Sequence, residues 1–138
     1  MSIARHLRSL LSTRNERGEP TSDRFRMAAR KAIRRITGEG DLPILDVGGR
    51  EGYLFDPRIS TLARGVTVLD IEHDPLCDCR RAWDGPGSFV QGDLTRLPFR
   101  DGSFRTTVCI GTFYNLPHAG MVLHGMREMG RVTAPGGR

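Results

Sequence analysis

No apolar stretch in these 138 residues approaches the length of a membrane span, so no transmembrane segment is expected and the reading is of a soluble protein without membrane partners. Cysteine is scarce. Cys77, Cys79 and Cys109 are odd in number and include a Cys-x-Cys pair too close for a disulfide framework, which points to a reducing, cytoplasmic setting. Repeats and low-complexity tracts are absent. A chain this short buries roughly two-thirds of its unfolded surface, enough for one core and not two. Lysine is nearly missing: twenty of the twenty-one basic residues are arginine, a bias that base composition explains as well as any ligand does.

What charge there is sits unevenly. Residues 1–36 carry ten Arg or Lys against three acids, whereas residues 37–138 carry eleven against thirteen, so the net +5 is an N-terminal property. Ile3, Leu7, Leu10 and Leu11 recur at helical spacing and predict an amphipathic helix over residues 2–12, within a basic arm covering 1–20. Gly18-Glu-Pro20 breaks it, and Thr21-Ser-Asp23 caps a second helix whose apolar face is Phe25, Ala28, Ala29, Ile33 and Ile36. A solvated helical face is the favoured reading of the arm. Binding to nucleic acid or another acidic surface is the second reading, disfavoured because Phe25 is the only interleaved aromatic, and a cleavable targeting peptide is the third.

The centre of the chain carries the chemistry. Residues 44–52 read Ile-Leu-Asp-Val-Gly-Gly-Arg-Glu-Gly, an apolar run that stops on Asp46 and passes into a glycine-rich turn, as a buried parallel strand does when it delivers backbone to a ligand. The dinucleotide fingerprint G-x-G-x-x-G is not met, since Arg50 stands in the turn and no third glycine falls at the required place. A nicotinamide-dependent oxidoreductase is therefore disfavoured. Val66-Thr-Val-Leu-Asp70 repeats the pattern of an apolar run ending on an acid, and a carboxylate at such a tip can accept both hydroxyl protons of a ribose diol.

These segments resemble the class I S-adenosylmethionine-dependent methyltransferases, in which an acid at the end of strand one precedes G-x-G-x-G. Phe89-Val-Gln-Gly-Asp93-Leu94 through Leu97-Pro-Phe-Arg-Asp-Gly-Ser-Phe104, and Arg127-Glu-Met-Gly-Arg-Val132 followed by Pro135-Gly-Gly137, are similar to later stretches of that family in the same order. The likeness covers residues 44–138 and points to the small-molecule branch, the methyltransferase type 11 kind. It implies an α/β fold, a Rossmann-like parallel sheet ordered 3-2-1-4 with helices on both faces, filling residues 21–138 as a partial domain. It also implies S-adenosylmethionine as cofactor. Asp46, Gly48, Gly49 and Gly52 would shape the methionine end of the site and Asp70 with Ile71 the ribose side. Asp93 and the Leu94 backbone would read the adenine, and Gly111 would line the pocket from strand four.

The family sheet continues with strands five to seven, which this chain would lack, leaving Thr106-Thr-Val-Cys-Ile110 as a bare edge. Such an edge calls for a cap, either a second copy of the chain or the N-terminal helices. A non-catalytic relative used for binding or assembly is the alternative function. After strand four the stretch Gly111-Thr-Phe-Tyr-Asn-Leu-Pro-His118 lacks the Asn-Pro-Pro-Tyr of some amino-group methyltransferases, so that chemistry is disfavoured; His118 is the candidate base, competing with a role as a surface or capping residue. His73, Cys77 and Cys79 do not make a convincing metal set, because a fourth ligand would need unusual spacing; Cys77 is expected to pack, His73 to lie at the rim, and Cys109 to be a small core residue. Pro57 is expected to confine the first crossover helix to about residues 58–64.

Overall fold

The computed structural model describes residues 21–50, 52, 54, 55, 60–83 and 87–138; the expected helix over residues 2–12, the rest of the arm to residue 20, and Pro57 lie outside them. Four strands, β1 (Ile44–Val47), β2 (Val66–Asp70), β3 (Ser88–Gln91) and β4 (Thr106–Cys109), form one sheet ordered β3-β2-β1-β4 with every pair parallel. Among the described residues three α-helices accompany them: α1 (Thr21–Ile36), α2 (His73–Trp83) and α3 (Ala119–Val132).

Strand β1 is buried at all four positions, as a strand covered on both faces must be. Its side chains alternate between two apolar layers. Ile44 points to the layer holding Val66, Val68 and Val108, which α1 and α2 cover with Ile33, Leu76, Cys79 and Trp83. Leu45 and Val47 point to the other, with Leu69, Leu94, Phe104 and the α3 residue Val132. The period of two therefore sends Asp46 to the Ile44 side, between its apolar register partners Val68 and Val108.

Several expectations are corrected. Of the apolar stripe foreseen on α1, only Ile33 and Ala29 reach the core; Phe25 and Ile36 are 44% and 58% exposed, and Ala28 is exposed too. Between β1 and β2 the helical part of the crossover among the described residues is a short 3-10 turn, Thr61–Gly65, where α-helix was expected to 64; residues 58 and 59 lie outside the described residues. It is capped by the Ser60 hydroxyl, which accepts from the Leu62 N–H at 3.2 Å. On α2 the packing cysteine is Cys79, buried near Trp83, whereas Cys77 is half-buried with its sulfur 3.4 Å from His73 Nε2. Cys109, expected as a small core residue, is half-buried and packs against the Leu45 and Val47 layer.

The outer edge of β4 is not bare along its first half. Arg138 donates its N–H to the Arg105 carbonyl (3.0 Å) and accepts from the Thr107 N–H (2.8 Å), the alternation of a parallel ladder, and Phe104 bridges Thr133 in parallel. Glycine permits this approach, because a Cβ on Gly137 would lie 2.5 Å from the Arg105 carbonyl oxygen. The Arg138 guanidinium pairs with Asp41 at 2.7 Å and also donates to the Ile36 carbonyl, tying this segment to the end of α1. The chain's own residues 133–138 thus take the place along Arg105–Thr107 that a second copy or the N-terminal helices were expected to fill.

Candidate functional site

The parallel register sets the strand tips level. Val47 is opposite both Leu69 and Cys109, and Asp70 is opposite Gln91, so Gly48, Asp70, Asp93 and Gly111 all emerge at the carboxyl ends of the sheet. That is where an open parallel sheet binds ligands. A concavity of about 380 Å³ lies elsewhere, lined by Met27, Arg30, Lys31, Arg34 and Arg35 of α1 and by none of these tips. The strand tips remain the candidate site because acids, left-handed glycines and backbone N–H groups converge there.

The turn after β1 folds across the tip of β2. Gly48 and Gly49 both donate to the Leu69 carbonyl (2.7 and 3.2 Å), and the Arg50 N–H donates to Asp70 Oδ2 at 3.0 Å. Gly48 sits at φ 70° and Arg50 at φ 44°, so the arginine holds the left-handed conformation that a glycine adopts without penalty. Its guanidinium turns to Glu72, 3.7 Å away, in a pair whose side chains are about half exposed (47% and 57%). Gly48 also abuts the loop after β4: a Cβ there would stand 2.0 Å from Thr112 Oγ1, and that hydroxyl reaches the Val47 carbonyl at 3.4 Å.

Asp70 is 6% exposed and holds both neighbouring loops, its Oδ1 accepting from the Glu72 N–H at 3.0 Å while Oδ2 takes Arg50. An ionised carboxylate offers roughly four acceptor positions, so capacity remains for a diol. Beside it Ile71 stands 65% exposed, its carbonyl accepting from Gln91 Nε2 at 3.0 Å. Asp93 is exposed and uses Oδ1 locally, taking the Thr95 N–H and hydroxyl, each at 2.8 Å. Leu94 is buried in the core, which leaves its backbone as the part open to a ligand role.

Asp46 is the most unusual group. It is 1% exposed, and its Oδ2 has no hydrogen-bond partner among the described residues. Burial, and secondarily the like charge of Asp70, push its carboxyl up to about 7. Gly49 lies directly over it, since a Cβ at that position would stand 2.7 Å from Asp46 Oδ2. Gly52, at φ 65°, closes the turn against α2: a Cβ there would meet Cys79 Sγ at 2.5 Å and the Trp83 ring at 2.7 Å. Gly111, at φ 77°, turns the chain after β4. His118 is exposed at the N-cap of α3 and makes no side-chain cap hydrogen bond.

Sequence reasoning missed the clamp beneath the Asp93 loop. Arg131 grips Glu128 through two nitrogens (2.7 and 2.8 Å), Asp101 at 2.8 Å, and the Phe99 and Leu97 carbonyls at 2.8 and 3.0 Å. Glu128 in turn accepts the Leu97 N–H at 2.8 Å, and these bonds hold its carboxyl below the usual range. The i,i+3 spacing of Glu128 and Arg131 was a visible signal; their shared hold on residues 97–101 was not. Thr112 was missed for a plainer reason, as nothing in the sequence marks which side chain meets Gly48.

Comparison with known proteins decides the family. The methyltransferase-domain family profile matches residues 44–137. The chain belongs to that family. A demethylmenaquinone methyltransferase of Chlorobaculum tepidum is 29% identical over 111 residues, covering 80% of this chain and 44% of that protein. A chain in the complex of Haloferax volcanii Trm112, a methyltransferase activator, with a methyltransferase superposes with a TM-score of 0.71 at 27% identity, covering 83% of this chain and 50% of that one. The glycopeptide N-methyltransferase MtfA, solved with S-adenosyl-L-methionine, gives a TM-score of 0.63 at 26% identity over 81% of this chain and 51% of that one. The methyltransferase domain thus spans about half the length of the curated relatives it matches. Their names do not favour the non-catalytic alternative. Among the described residues, no helix is long and apolar enough to cross a membrane.

Proposed function

We propose that this methyltransferase domain binds S-adenosylmethionine at the strand tips and serves methyl transfer to a small-molecule acceptor. The observation that carries the reading is Asp70, a nearly buried carboxylate at the tip of β2 that fastens the glycine turn and keeps acceptor capacity for a ribose diol. The residues suit such a ligand on two further counts. Asp46 keeps an unpartnered buried oxygen under the turn, an apt counter-charge for a cationic amino-acid end, and Gly49 leaves backbone alone above it. The exposed apolar surface of Ile71 beside Asp70 suits a nucleoside.

When bound, the cofactor supplies an activated methyl group on a sulfonium, so what the protein must add is alignment and, where needed, removal of a proton. In this reading Gly48, Gly49, Gly52 and Asp46 shape the methionine end, Asp70 and Ile71 hold the ribose side, Asp93 and the Leu94 backbone read the adenine, and Gly111 lines the crevice from β4. His118 serves as the acceptor's base. That the acceptor is a small molecule rests on the likeness to the demethylmenaquinone methyltransferase, named for a small-molecule substrate, and on the absence of Asn-Pro-Pro-Tyr after β4. A cytoplasmic setting is part of the proposal, supported by the free cysteines Cys77, Cys79 and Cys109. Calorimetric titration with S-adenosylmethionine, S-adenosylhomocysteine and NAD tests it. Binding of the two adenosyl sulfur compounds without NAD is the expected result, and NAD binding alone would refute it.

A further inference from the structure

Asp46 carries one step beyond that reading. A carboxyl group that is 1% exposed, with one oxygen lacking any hydrogen-bond partner among the described residues, is expensive to ionise. Among the described residues the turn above does not supply the usual remedy, because the N–H groups of Gly48 and Gly49 are committed to the Leu69 carbonyl and that of Arg50 to Asp70. Nor do the charges around it help among the described residues. From β2 the nearest ionisable group is Asp70, of like sign, and from β4 it is Cys109, whose thiol is itself pushed up by burial. In the turn, the Arg50 guanidinium faces Glu72 at the rim. The strand neighbours in register with Asp46, Val68 and Val108, are apolar.

We propose that Asp46 is a proton-linked selector of cationic ligands: at neutral pH its carboxyl is partly protonated in the ligand-free protein and gives up the remaining proton to solvent when the ammonium-bearing end of the cofactor settles over the 48–50 turn. The inference rests on the cofactor reading above. The geometry supports it because the Gly49 backbone packs directly on the carboxyl, with a Cβ there only 2.7 Å from Asp46 Oδ2, so one layer of backbone separates Asp46 from whatever lies on the turn, and a cation within about 4–6 Å favours the charged carboxylate strongly. The carboxyl's position near neutral pH makes the exchange measurable under ordinary conditions.

The test is calorimetry in two buffers of different ionisation enthalpy, with S-adenosylhomocysteine and 5′-methylthioadenosine as probes. Both carry the adenosine half, and only the first carries the amino-acid end. For S-adenosylhomocysteine at pH 7 we expect release of roughly half a proton, and affinity that rises with pH by up to about tenfold per unit below neutrality. With 5′-methylthioadenosine, or with either probe in Asp46→Asn, no release is expected. Binding of S-adenosylhomocysteine without proton release, release that persists in Asp46→Asn, or equal release with 5′-methylthioadenosine would each overturn the proposal. Failure of both probes to bind would overturn the cofactor reading itself, and is a distinguishable result.

Discussion

The Arg50 N–H donates to Asp70 Oδ2 at 3.0 Å, so the residue that departs from the expected glycine is also the one that fastens the turn to the acid of β2. Asp70 therefore has two duties, holding loops and, in the proposed function, holding a ribose. Asp70→Ala should weaken S-adenosylhomocysteine binding by about 1–3 kcal/mol, the cost of losing charged acceptors. It should also speed amide exchange at Arg50 and Glu72, whose N–H groups lose their acceptor. Calorimetry and hydrogen exchange read the two effects separately, and unchanged affinity would remove Asp70 from the ribose role.

Replacing Arg50 by glycine should not harm folding. The left-handed conformation at φ 44° costs a side-chain-bearing residue about 1–2 kcal/mol, while the half-exposed pair with Glu72 at 3.7 Å returns less than about 1 kcal/mol. Arg50→Gly is thus expected to be neutral or stabilising by up to about 1 kcal/mol in urea unfolding. Arg50→Ala, which keeps a Cβ, should show no such gain.

The sheet order was legible because each parallel strand announces itself as an apolar run ending at a turn, and acids at 46 and 70 mark the tips. The resemblance supplied the order of those strands. Two things were hidden. Asp46 looked like a pocket acid, yet the period of two sends it into the layer of Ile44, Val66 and Val68, beneath the turn. The β4 edge looked bare because nothing in Pro135-Gly-Gly-Arg138 reveals that Gly137 lets the backbone come close enough to pair with Arg105 and Thr107. The apolar stripe of α1 failed for the converse reason: periodicity indicates which side chains share a face, not how far that face is covered.

Contact between the two loops at the strand tips makes Gly48 intolerant of substitution. A Cβ would lie 2.0 Å from Thr112 Oγ1 and 2.8 Å from its Cγ2, at a backbone φ of 70° that already disfavours alanine. Gly48→Ala should cost about 2–4 kcal/mol in chemical denaturation, combining overpacking with backbone strain. Adding Thr112→Ala removes both atoms but keeps the Thr112 Cβ, 2.9 Å away, and should recover most of the steric part while leaving the conformational part. A double variant no more stable than Gly48→Ala alone would show that the loops do not meet as described.

Asp46 also predicts how stability varies with pH. Its folded value of about 7 lies above the ordinary 3.8, so between these limits the unfolded chain has given up a proton that the folded protein retains. Stability contributed by this group must therefore fall as pH rises from about 4 to about 7, and level off above that. At about 1.4 kcal/mol per pH unit the full penalty reaches roughly 4 kcal/mol, an upper figure because burial can relax. Asp46→Asn removes the titration and should gain over the wild type progressively, by roughly 1.5 kcal/mol at pH 5 and up to roughly 4 kcal/mol at pH 8. Glu128 works in the opposite sense, since its lowered carboxyl loses its contribution only as pH falls below about 4.5, outside the window in which Asp46 is read. Urea midpoints of both proteins at pH 5, 6, 7 and 8 supply the measurement. A difference between them that stays constant across the series would mean that Asp46 does not change charge in this range, and that its isolation under Gly49 is relieved by some other partner.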